Sequence, residues 1–473
     1  MMSDKIKELL LEETYSFQII VEINDCCYAG KLDATPEKIT LKITGELRCE
    51  DDDFNPRQVA QNLVCNSHSS NGTFLLFGAK FSNGGWRTIQ RHPITKSYFE
   101  YIFDVSHIIF LPSSGSLRTE FFNIQIHSKT IANWVGITEN SQKLINKATQ
   151  GFNLHEDFTD ISTEFHQYVG DDVILTVGYN YQAGYSLSEM KSGVTYDLVL
   201  NLLFQNDKSA NACFECFAKL YSLFAFITGG ELDIQKICFT YDGAISSNKA
   251  SLYCTELIKR NNHTLILFPY GANLAFRQNE LPEFPIKAFE NYFQLTNDEQ
   301  AVFEKYIKYR RLENVEEQFL GYFRLLEKLC YKESSYLDED KLIELGKKSK
   351  KFLIKYFNDK KNVESFLKSL PRFNNQKFNT EKCIQDFIKL IPDTFSASWR
   401  YKKQDISIIT RLRNDIIHAN AYNESKDELH SKTKLIEALL TVQLFLKLGV
   451  NLDLILLVLG RLNGYNRIVL NAD

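Results

Sequence analysis

A histidine and two arginines lie close together in the segment TRLRNDIIHAN, residues 410–420. Histidine exchanges protons near neutral pH, and arginine stays charged and donates bidentately to phosphate oxygens. RNA cleavage without a metal needs a base for the 2′-hydroxyl, an acid for the leaving 5′-oxygen and a cation for the phosphorane. Arg413 and His418 are therefore candidate catalytic residues.

The segment falls at the end of a predicted helix, Gln404–His418. The apolar side of this helix includes Ile406, Ile409, Leu412 and Ile416. At helical spacing the opposite side carries Arg411, Asn414, Asp415 and His418. Arg413 is displaced from that side by more than a third of a turn, so its long side chain must bring the guanidinium round. The alternative is structural: a surface arginine and a cation favoured by the dipole at the helix C-terminus.

A basic segment lies earlier in the same half of the chain. Residues 341–361 contain eight lysines and only two acidic residues. Such a run is either a surface that contacts RNA phosphates or a solvated helix face. The residues that we predict to bind RNA are Lys347, Lys348, Lys350, Lys351, Lys402, Lys403 and Arg411. Of these, Arg411 is included because it shares the side of His418.

The chain changes character near residue 281. Before that position, short runs rich in β-branched and aromatic residues alternate with Asn, Asp, Gly and Pro, which predicts strands. The strongest are Phe17–Ile23, Ile39–Ile43, Thr73–Phe77, Tyr101–Phe103, Phe121–Ile126 and Val173–Val177, with Lys236–Tyr241 and Leu265–Phe268 later. One helix, about residues 210–226, interrupts them. We predict a β-rich, sandwich- or barrel-like half over residues 1–280, as one domain or two.

Residues 281–473 show helical periodicity and predict an all-α bundle, so the fold class is α+β. The predicted helices are Asn297–Tyr309, Val315–Tyr331, Asp338–Phe357, Asn362–Leu370, Thr380–Leu390, Gln404–His418 and Lys426–Leu448. Asn379 looks like an N-cap, Gly449 ends the last helix, and Pro371 and Pro392 are expected to separate helices.

Composition is that of an ordinary globular protein, with 44% hydrophobic residues and a formal charge of −4. That charge provides no general basic field, so nucleic acid would bind through a local patch. The first residues lack the apolar run of a secretory signal. The most apolar stretch, Leu435–Leu459, is interrupted by charged residues, which favours buried helices over a membrane span. Together with ten scattered cysteines, these features predict a cytoplasmic protein that contacts no membrane.

Other motifs are weaker. Cys213 and Cys216 form a CxxC pair within an apolar helix, which favours core thiols over zinc, and any role for them stays open. The sequence contains no GxxxxGK[ST], GxGxxG or GxSxG segment, so nucleotide-phosphate, dinucleotide and serine-hydrolase chemistry have no support. We predict neither a metal nor a cofactor. Trp86 and Trp134 are ligand-stacking candidates, although a tryptophan in such a fold is more often in the core.

The segment RNDIIH, Arg413–His418, resembles the Arg-x₄₋₆-His motif of HEPN ribonucleases, with Asn414 as the polar residue that follows the arginine. The upstream segment FLGYFRLLEKL, which includes Glu327, resembles the first helices of the ApeA-like HEPN group, a branch associated with anti-phage defence. YAGKLDATPEKITLKITGEL and the later IANWVG, residues 131–136, resemble the ApeA N-terminal region. The resemblance covers most of the chain in order.

This resemblance implies an endoribonuclease that acts in abortive infection. His418 would act as general base or acid, and Arg413 would bind and polarise the scissile phosphate. Asn414 would orient the histidine or the phosphate. Cleavage would need no metal and would leave a 2′,3′-cyclic phosphate and a 5′-hydroxyl. One Arg–His set supplies one proton-transfer group, so a homodimer or higher oligomer would complete the site. The expected partners are host RNA, with tRNA as the expected class, and a phage-derived activator sensed by the β-rich half.

Two other functions remain open. A non-catalytic HEPN bundle would serve as a dimerisation or RNA-binding scaffold, although scaffold versions commonly lack one residue of the Arg–His pair. Alternatively, the β-rich half binds carbohydrate while the bundle oligomerises. Exposed aromatic side chains clustered in a concave face of that half would favour this last function.

Overall fold

The chain folds into two compact units, residues 1–296 and 297–473. The computed structural model describes residues 7–23, 26–47, 56–59, 61–67, 72–91, 94–112, 120–150, 159–186, 191–241, 248–255, 265–332, 335–374 and 379–470. The first unit is built on a β-sheet and the second is helical. The α+β class and the order of the two halves are therefore as predicted.

The first unit contains a single antiparallel sheet. Its strands are β1 (Tyr15–Ile23), β2 (Cys26–Ala34), β3 (Ile39–Leu47), β4 (Leu63–Ser67), β5 (Thr73–Phe77), β6 (Lys80–Arg91), β7 (Ile94–Val105), β8 (His107–Leu111), β9 (Glu120–Ser128), β10 (Thr163–Tyr168), β11 (Val173–Ser186), β12 (Lys191–Ser209), β13 (Ile234–Tyr241) and β14 (Asn248–Cys254). Among the described residues these 14 strands lie in the order β10-β11-β12-β9-β13-β14-β8-β5-β4-β1-β2-β3-β7-β6.

Side-chain alternation shows which strands have one solvated face. In β1 every second residue is buried, as expected for a strand with one solvated face. Strands β5 and β8 pair with each other, and all of their residues are buried. Continuous apolar runs therefore mark the centre of the sheet, whereas alternating runs mark its more exposed parts.

Seven of the predicted strands lie within observed strands, but the prediction for Leu265–Phe268 is wrong. Those residues form no strand, although Ile266, Leu267 and Phe268 are buried. The backbone N–H groups of Leu267 and Phe268 donate instead to the carbonyls of Thr228 and Ile227. The backbone N–H groups of this apolar run therefore bond to carbonyls at the end of a helix rather than to a neighbouring strand.

The described residues of the first unit also form six helices: α1 (Lys129–Val135), α2 (Glu139–Gln150), α3 (Thr159–Ser162), α4 (Ala210–Ile227), α5 (Leu274–Arg277) and α6 (Lys287–Gln294). Helix α4 is the predicted one, and Ser209 caps its N-terminus. In the described part of the chain, it is the one helix long and apolar enough to cross a membrane, and 61% of it is buried within the protein. That burial is typical of a core helix.

The cysteine pair lies on α4. The Cys213 thiol is buried and Cys216 is partly buried. Burial raises the pKa of Cys213 to about 12 and raises that of Cys216. Both thiols are therefore protonated at neutral pH and act as packing groups.

The second unit contains nine helices among its described residues: α7 (Asn297–Arg310), α8 (Val315–Cys330), α9 (Glu339–Phe357), α10 (Lys360–Asn374), α11 (Thr380–Ile388), α12 (Asp393–Ser396), α13 (Ile406–Ile417), α14 (Lys426–Lys447) and α15 (Leu452–Leu459). The seven predicted helices all exist, with ends shifted by a few residues. Asn379 caps α11 as predicted. Pro371 does not separate helices but lies inside α10, where its ring removes one backbone donor and the helix continues for another turn.

Helix α14 is the centre of this unit. Its burial extends around most of its circumference and includes the charged Lys434 and Glu437. The ammonium of Lys434 lies 2.7 Å from Glu437 Oε2. Tyr306 and Tyr322 donate to Oε1 of the same carboxylate at 3.3 and 3.2 Å. Burial, followed by the nearby Glu437 carboxylate, raises the pKa of both tyrosines. The charge pair thus has hydrogen-bond partners inside an otherwise apolar bundle.

His107 in β8 makes the first unit sensitive to acid. It is 5% exposed, its ring stacks on Phe77 and Phe214, and its Nε2 has no partner among the described residues. Burial lowers its pKa from 6.5 to about 4. Its contribution to stability is therefore complete above pH 6.5 and is lost as the pH falls towards 4. Since one pKa unit corresponds to about 1.4 kcal/mol, the wild type should lose about 3 kcal/mol over that range.

We expect His107→Phe, which keeps a flat ring between Phe77 and Phe214, to reduce the pH dependence of melting between pH 7 and 5, while His127, whose pKa burial also lowers to about 4, keeps its own contribution. Thermal melts of the full-length protein followed by circular dichroism measure this difference. His166→Phe, at an exposed position in β10, is the matched control and should melt with the wild-type pH dependence. Identical profiles for His107→Phe and wild type would show that His107 does not control acid stability.

Candidate active site

Helix α13 carries the candidate catalytic residues. Its buried residues are Ile406, Ile409 and Leu412, three of the four that the apolar pattern predicted. This face packs on α8 and α11. Burial of that side leaves Arg411, Asn414 and His418 exposed.

The end of α13 presents His418. The helix ends at Ile417, and His418 is its C-cap. Ala419 follows with φ of 53°, a left-handed conformation that usually takes glycine. Its N–H donates to the Ile416 carbonyl and that of Asn420 donates to the Asp415 carbonyl. This hydrogen-bond pattern is a Schellman motif, and the Asn420 side chain also donates to the Asp415 carboxylate at 3.2 Å. The histidine therefore lies where the chain leaves the helix, at a position defined by the backbone.

The Arg413 side chain turns towards α8 and is held on three sides. One terminal nitrogen donates to Asn414 Oδ1 at 2.9 Å, and the other donates to Glu327 Oε2 at 3.1 Å. The guanidinium carbon lies 5.6 Å from the centre of the Phe323 ring, within the range of a cation–π contact. Arg413 is 26% exposed, and its buried Nε has no partner among the described residues. Each terminal nitrogen keeps a second N–H for a phosphate oxygen.

Glu327 is itself positioned from a third helix. Its other oxygen, Oε1, accepts a hydrogen bond from Thr380 Oγ1 at the start of α11. The ion pair is partly buried, so it is screened less than a surface pair. The carboxylate thus connects α11 to Arg413 and determines the direction of the guanidinium.

The residues around Arg413 were not predicted as site residues. Glu327 entered only through the family resemblance, and Phe323 and Thr380 were not identified. A signal existed for two of them, because Phe323 and Glu327 are four residues apart and share one face of α8. No local pattern identified Thr380, which is 53 residues from Glu327 in sequence.

The predicted set divides into groups. Arg413 donates to Asn414, whereas no hydrogen bond or ion pair between described residues joins either of them to the His418 side chain. Lys347, Lys348, Lys350 and Lys351 lie on α9. The Lys402 ammonium donates to the carbonyls of Ser396 and Ala397 at the end of α12, so its charge satisfies a helix C-terminus. Lys403 is exposed beside α13, in a single 3₁₀ turn.

Among the residues that the structure describes, no group of three or more His, Cys, Asp and Glu side chains is arranged to hold a metal ion. The candidate functional groups of the site are the His418 imidazole, the Arg413 guanidinium and the Glu327 carboxylate that holds the guanidinium. These groups suit proton transfer and phosphate binding.

The helical unit carries an Arg-x₄-His arrangement at the end of α13. The family model described as Apea-like HEPN matches residues 286–454, and the model described as ApeA N-terminal domain 1 matches residues 23–278. The chain therefore belongs to the ApeA-like HEPN family. No curated protein and no solved structure matches it.

Family membership identifies this protein as an HEPN-type anti-phage effector with an ApeA N-terminal domain. HEPN domains are generally nucleases, and they commonly act as RNA-binding dimers. The predicted family is confirmed on both halves of the chain. The reaction, its substrate and the roles of individual residues are matters for a proposal.

Proposed function

We propose that this protein is a metal-independent endoribonuclease that cleaves host RNA, with tRNA as the expected class, during anti-phage abortive infection. The observation that carries the proposal is the Arg413 guanidinium, held by Glu327 and Asn414 on the helix that ends at the exposed His418. A cation in a defined orientation can bind a scissile phosphate, and an exposed imidazole can reach a substrate proton. These are two of the three groups that metal-free cleavage requires, the cation and one proton-transfer group.

The bonds change as follows. His418 removes the 2′-hydroxyl proton, and the 2′-oxygen attacks the adjacent phosphorus to form a phosphorane. Arg413 stabilises the negative charge on the phosphorane oxygens. The bond to the 5′-oxygen then breaks, and this oxygen takes a proton from a second acid. The products are a 2′,3′-cyclic phosphate and a 5′-hydroxyl.

The need for a second proton-transfer group, which protonates the leaving 5′-oxygen, favours a dimer. Glu327 is occupied by Arg413 and Thr380, and the exposed stripe of α13 carries only one histidine. A second copy facing the first would supply another His418 and complete the acid–base pair. Ile408, which borders that stripe, is 51% exposed and would gain apolar contacts in such an interface.

The β-rich unit suits a sensing role. Trp134 is buried, and its indole N–H donates to the Phe268 carbonyl at 2.9 Å, so it belongs to the core. Trp86 differs, because it is 64% exposed. It lines a groove of about 950 Å³ over β3, β6 and β7 together with Arg87 and Tyr98. Within our proposal, this groove is where a phage-derived activator would bind.

The test uses total cellular RNA with EDTA present and reads the 5′-end chemistry of the fragments. We expect wild type to leave 5′-hydroxyl ends and His418→Ala to cleave about 10²–10⁴-fold more slowly, the usual contribution of a proton-transfer group. His418 is exposed at a helix end, so its replacement should preserve the fold. His430→Ala removes the other histidine of residues 297–473 and should leave cleavage unchanged.

The same assay in extract from phage-infected cells separates a silent enzyme from a scaffold. Cleavage that depends on His418 only in that extract supports an enzyme awaiting its activator. Two outcomes contradict the proposal and favour a non-catalytic scaffold: no cleavage by wild type or His418→Ala in either assay, and equal cleavage by the two proteins.

A further inference from the structure

Helices α9 and α10 form a hairpin that buries little of its own apolar surface. The described residues of α9 include none that is buried, and in α10 only Val363 and Asn374 are buried. The turn between the helices consists of Asn358 and Asp359. A helix of this length normally hides one apolar face, so this hairpin presents a surface that another molecule can cover.

Aromatic rings are concentrated at the tip of the hairpin. Phe352, Tyr356 and Phe357 are 67%, 72% and 62% exposed. The rings of Phe352 and Tyr356 lie nearly parallel, with centres 5.9 Å apart and planes inclined by 24°. Exposed large apolar side chains normally occur singly on soluble proteins. Three together at one helix end indicate a contact surface.

Positive charge surrounds these rings. Lys351 and Lys355 lie on the same stretch of α9, and Lys360 and Lys361 begin α10. Cations at a helix N-terminus oppose the helix dipole and cost stability, and the capping carboxylate of Asp359 is the one acidic side chain at the turn. Lys347, Lys351 and Lys355 form no ion pair with a described residue, whereas Lys348 and Lys350 are paired with Glu344 and Glu364. The tip therefore attracts a polyanion.

The exposed aromatic rings and the lysines together indicate which kind of molecule binds the hairpin. A second copy of the hairpin would bring like charges together, and lysine is depleted from the cores of protein–protein interfaces. A duplex nucleic acid would use the lysines but leave the rings in water, since its bases are stacked inside. A single strand uses both, because its phosphates contact lysines while its bases stack on aromatic rings.

We propose that the α9–α10 hairpin holds unpaired RNA, with bases stacked on Phe352 and Tyr356 and phosphates on Lys347, Lys351 and Lys355. This inference rests on the proposed ribonuclease function, because the hairpin belongs to the same unit as Arg413 and His418. It specifies the substrate class as RNA with unpaired nucleotides, either single strands or loops.

The test measures binding separately from cleavage. Full-length His418→Ala protein is titrated into a fluorescein-labelled unstructured oligoribonucleotide and into a duplex of the same sequence, with anisotropy as the readout. Phe352→Leu/Tyr356→Leu in that background removes the rings but keeps apolar side chains. Tyr168→Leu removes a ring that is 55% exposed on β10 of the other unit and is the matched control.

We expect the ring variant to bind the single strand about tenfold or more weakly, because base–aromatic stacking contributes on this scale, and to bind the duplex within about twofold of the parent. Lys347→Gln/Lys351→Gln/Lys355→Gln should weaken both complexes. It should also reduce the salt dependence for the single strand by about 2 in the log–log slope. Tyr168→Leu should bind as the parent does.

Equal affinity of the ring variant and the parent for the single strand would overturn the inference. So would a parent that binds an acidic peptide or anionic vesicles but not RNA, or a ring variant whose only change is loss of self-association in sedimentation. If the ring variant binds the single strand as the parent does while wild type cleaves RNA in a His418-dependent way, the hairpin's role is refuted and the ribonuclease proposal stands. Single-strand binding that depends on the rings, with no cleavage by wild type in either cleavage assay, would refute the ribonuclease and leave the hairpin as an RNA-binding surface.

Discussion

If the protein is the ribonuclease that we propose, we expect Arg413→Lys to lower the rate of RNA cleavage by about 10²–10³-fold, the usual cost of losing one positioned donor to a transition-state oxyanion, even though the positive charge is kept. Lysine has no planar fork, so it cannot hold Glu327 and Asn414 at once and still donate to a phosphate. It also loses the stacking contact with Phe323. Single-turnover cleavage of a defined RNA by wild type and Arg413→Lys measures the difference.

Arg324→Lys is the matched control, because Arg324 is exposed on the helix that carries Glu327 and the same substitution there should leave the rate unchanged. Glu327→Gln tests the positioning role of the carboxylate. It removes the charge that holds Arg413 but keeps an acceptor for Thr380, so we expect a smaller loss in rate than for Arg413→Lys. An Arg413→Lys enzyme with wild-type turnover would show that charge alone suffices and that the hydrogen-bond geometry around Arg413 is not used.

Glu437→Gln destabilises the helical unit by about 3–5 kcal/mol, because it leaves the Lys434 ammonium buried without its counter-charge. The side chains of Lys434 and Glu437 are 10% and 2% exposed, so water cannot replace the lost partner. Lys434→Met/Glu437→Gln should recover most of this loss. An uncharged amide oxygen still accepts from Tyr306 and Tyr322, and methionine fills the space of the lysine stem.

Denaturant unfolding of the full-length protein, followed by helical circular dichroism, measures these values for wild type, Glu437→Gln and the double variant. Lys389→Gln breaks an ion pair with Asp386 at a solvent-exposed lysine and should leave the unfolding midpoint unchanged. If the double variant is as unstable as Glu437→Gln, the loss does not arise from the unpaired Lys434, and the tyrosine hydrogen bonds carry the stability instead.

Helix α13 shows which features of the candidate site local sequence patterns could predict and which they could not. The spacing of apolar residues predicted its buried side, since periodicity is a property of consecutive residues. It also placed Arg411, Asn414 and His418 on the exposed side, where the structure has them. The same periodicity left Arg413 off the stripe, and the reason appears only in three dimensions, because its side chain contacts Glu327, 86 residues earlier.

The sheet shows a comparable division. Strand composition predicted most strands of the first unit, but not that β9 lies between β12 and β13, or that one sheet contains all 14 strands. Pairing of strands distant in sequence depends on which apolar faces cover each other, and composition does not encode this locally. The error at Leu265–Phe268 has the same origin, because a buried apolar run satisfies a helix end as well as a sheet edge.

The amino-acid sequence by itself determined the α+β class, the seven longest helices of the second unit and the family, which rests on a short motif placed late in a helical half. Only the tertiary structure decided that α8, α11 and α13 bring Glu327, Thr380 and Arg413 together. It also decided that the aromatic side chains of α9 remain exposed beside its lysines. The physical reason is that residue types determine which groups can bond or be buried, whereas contacts between distant helices determine which of them are.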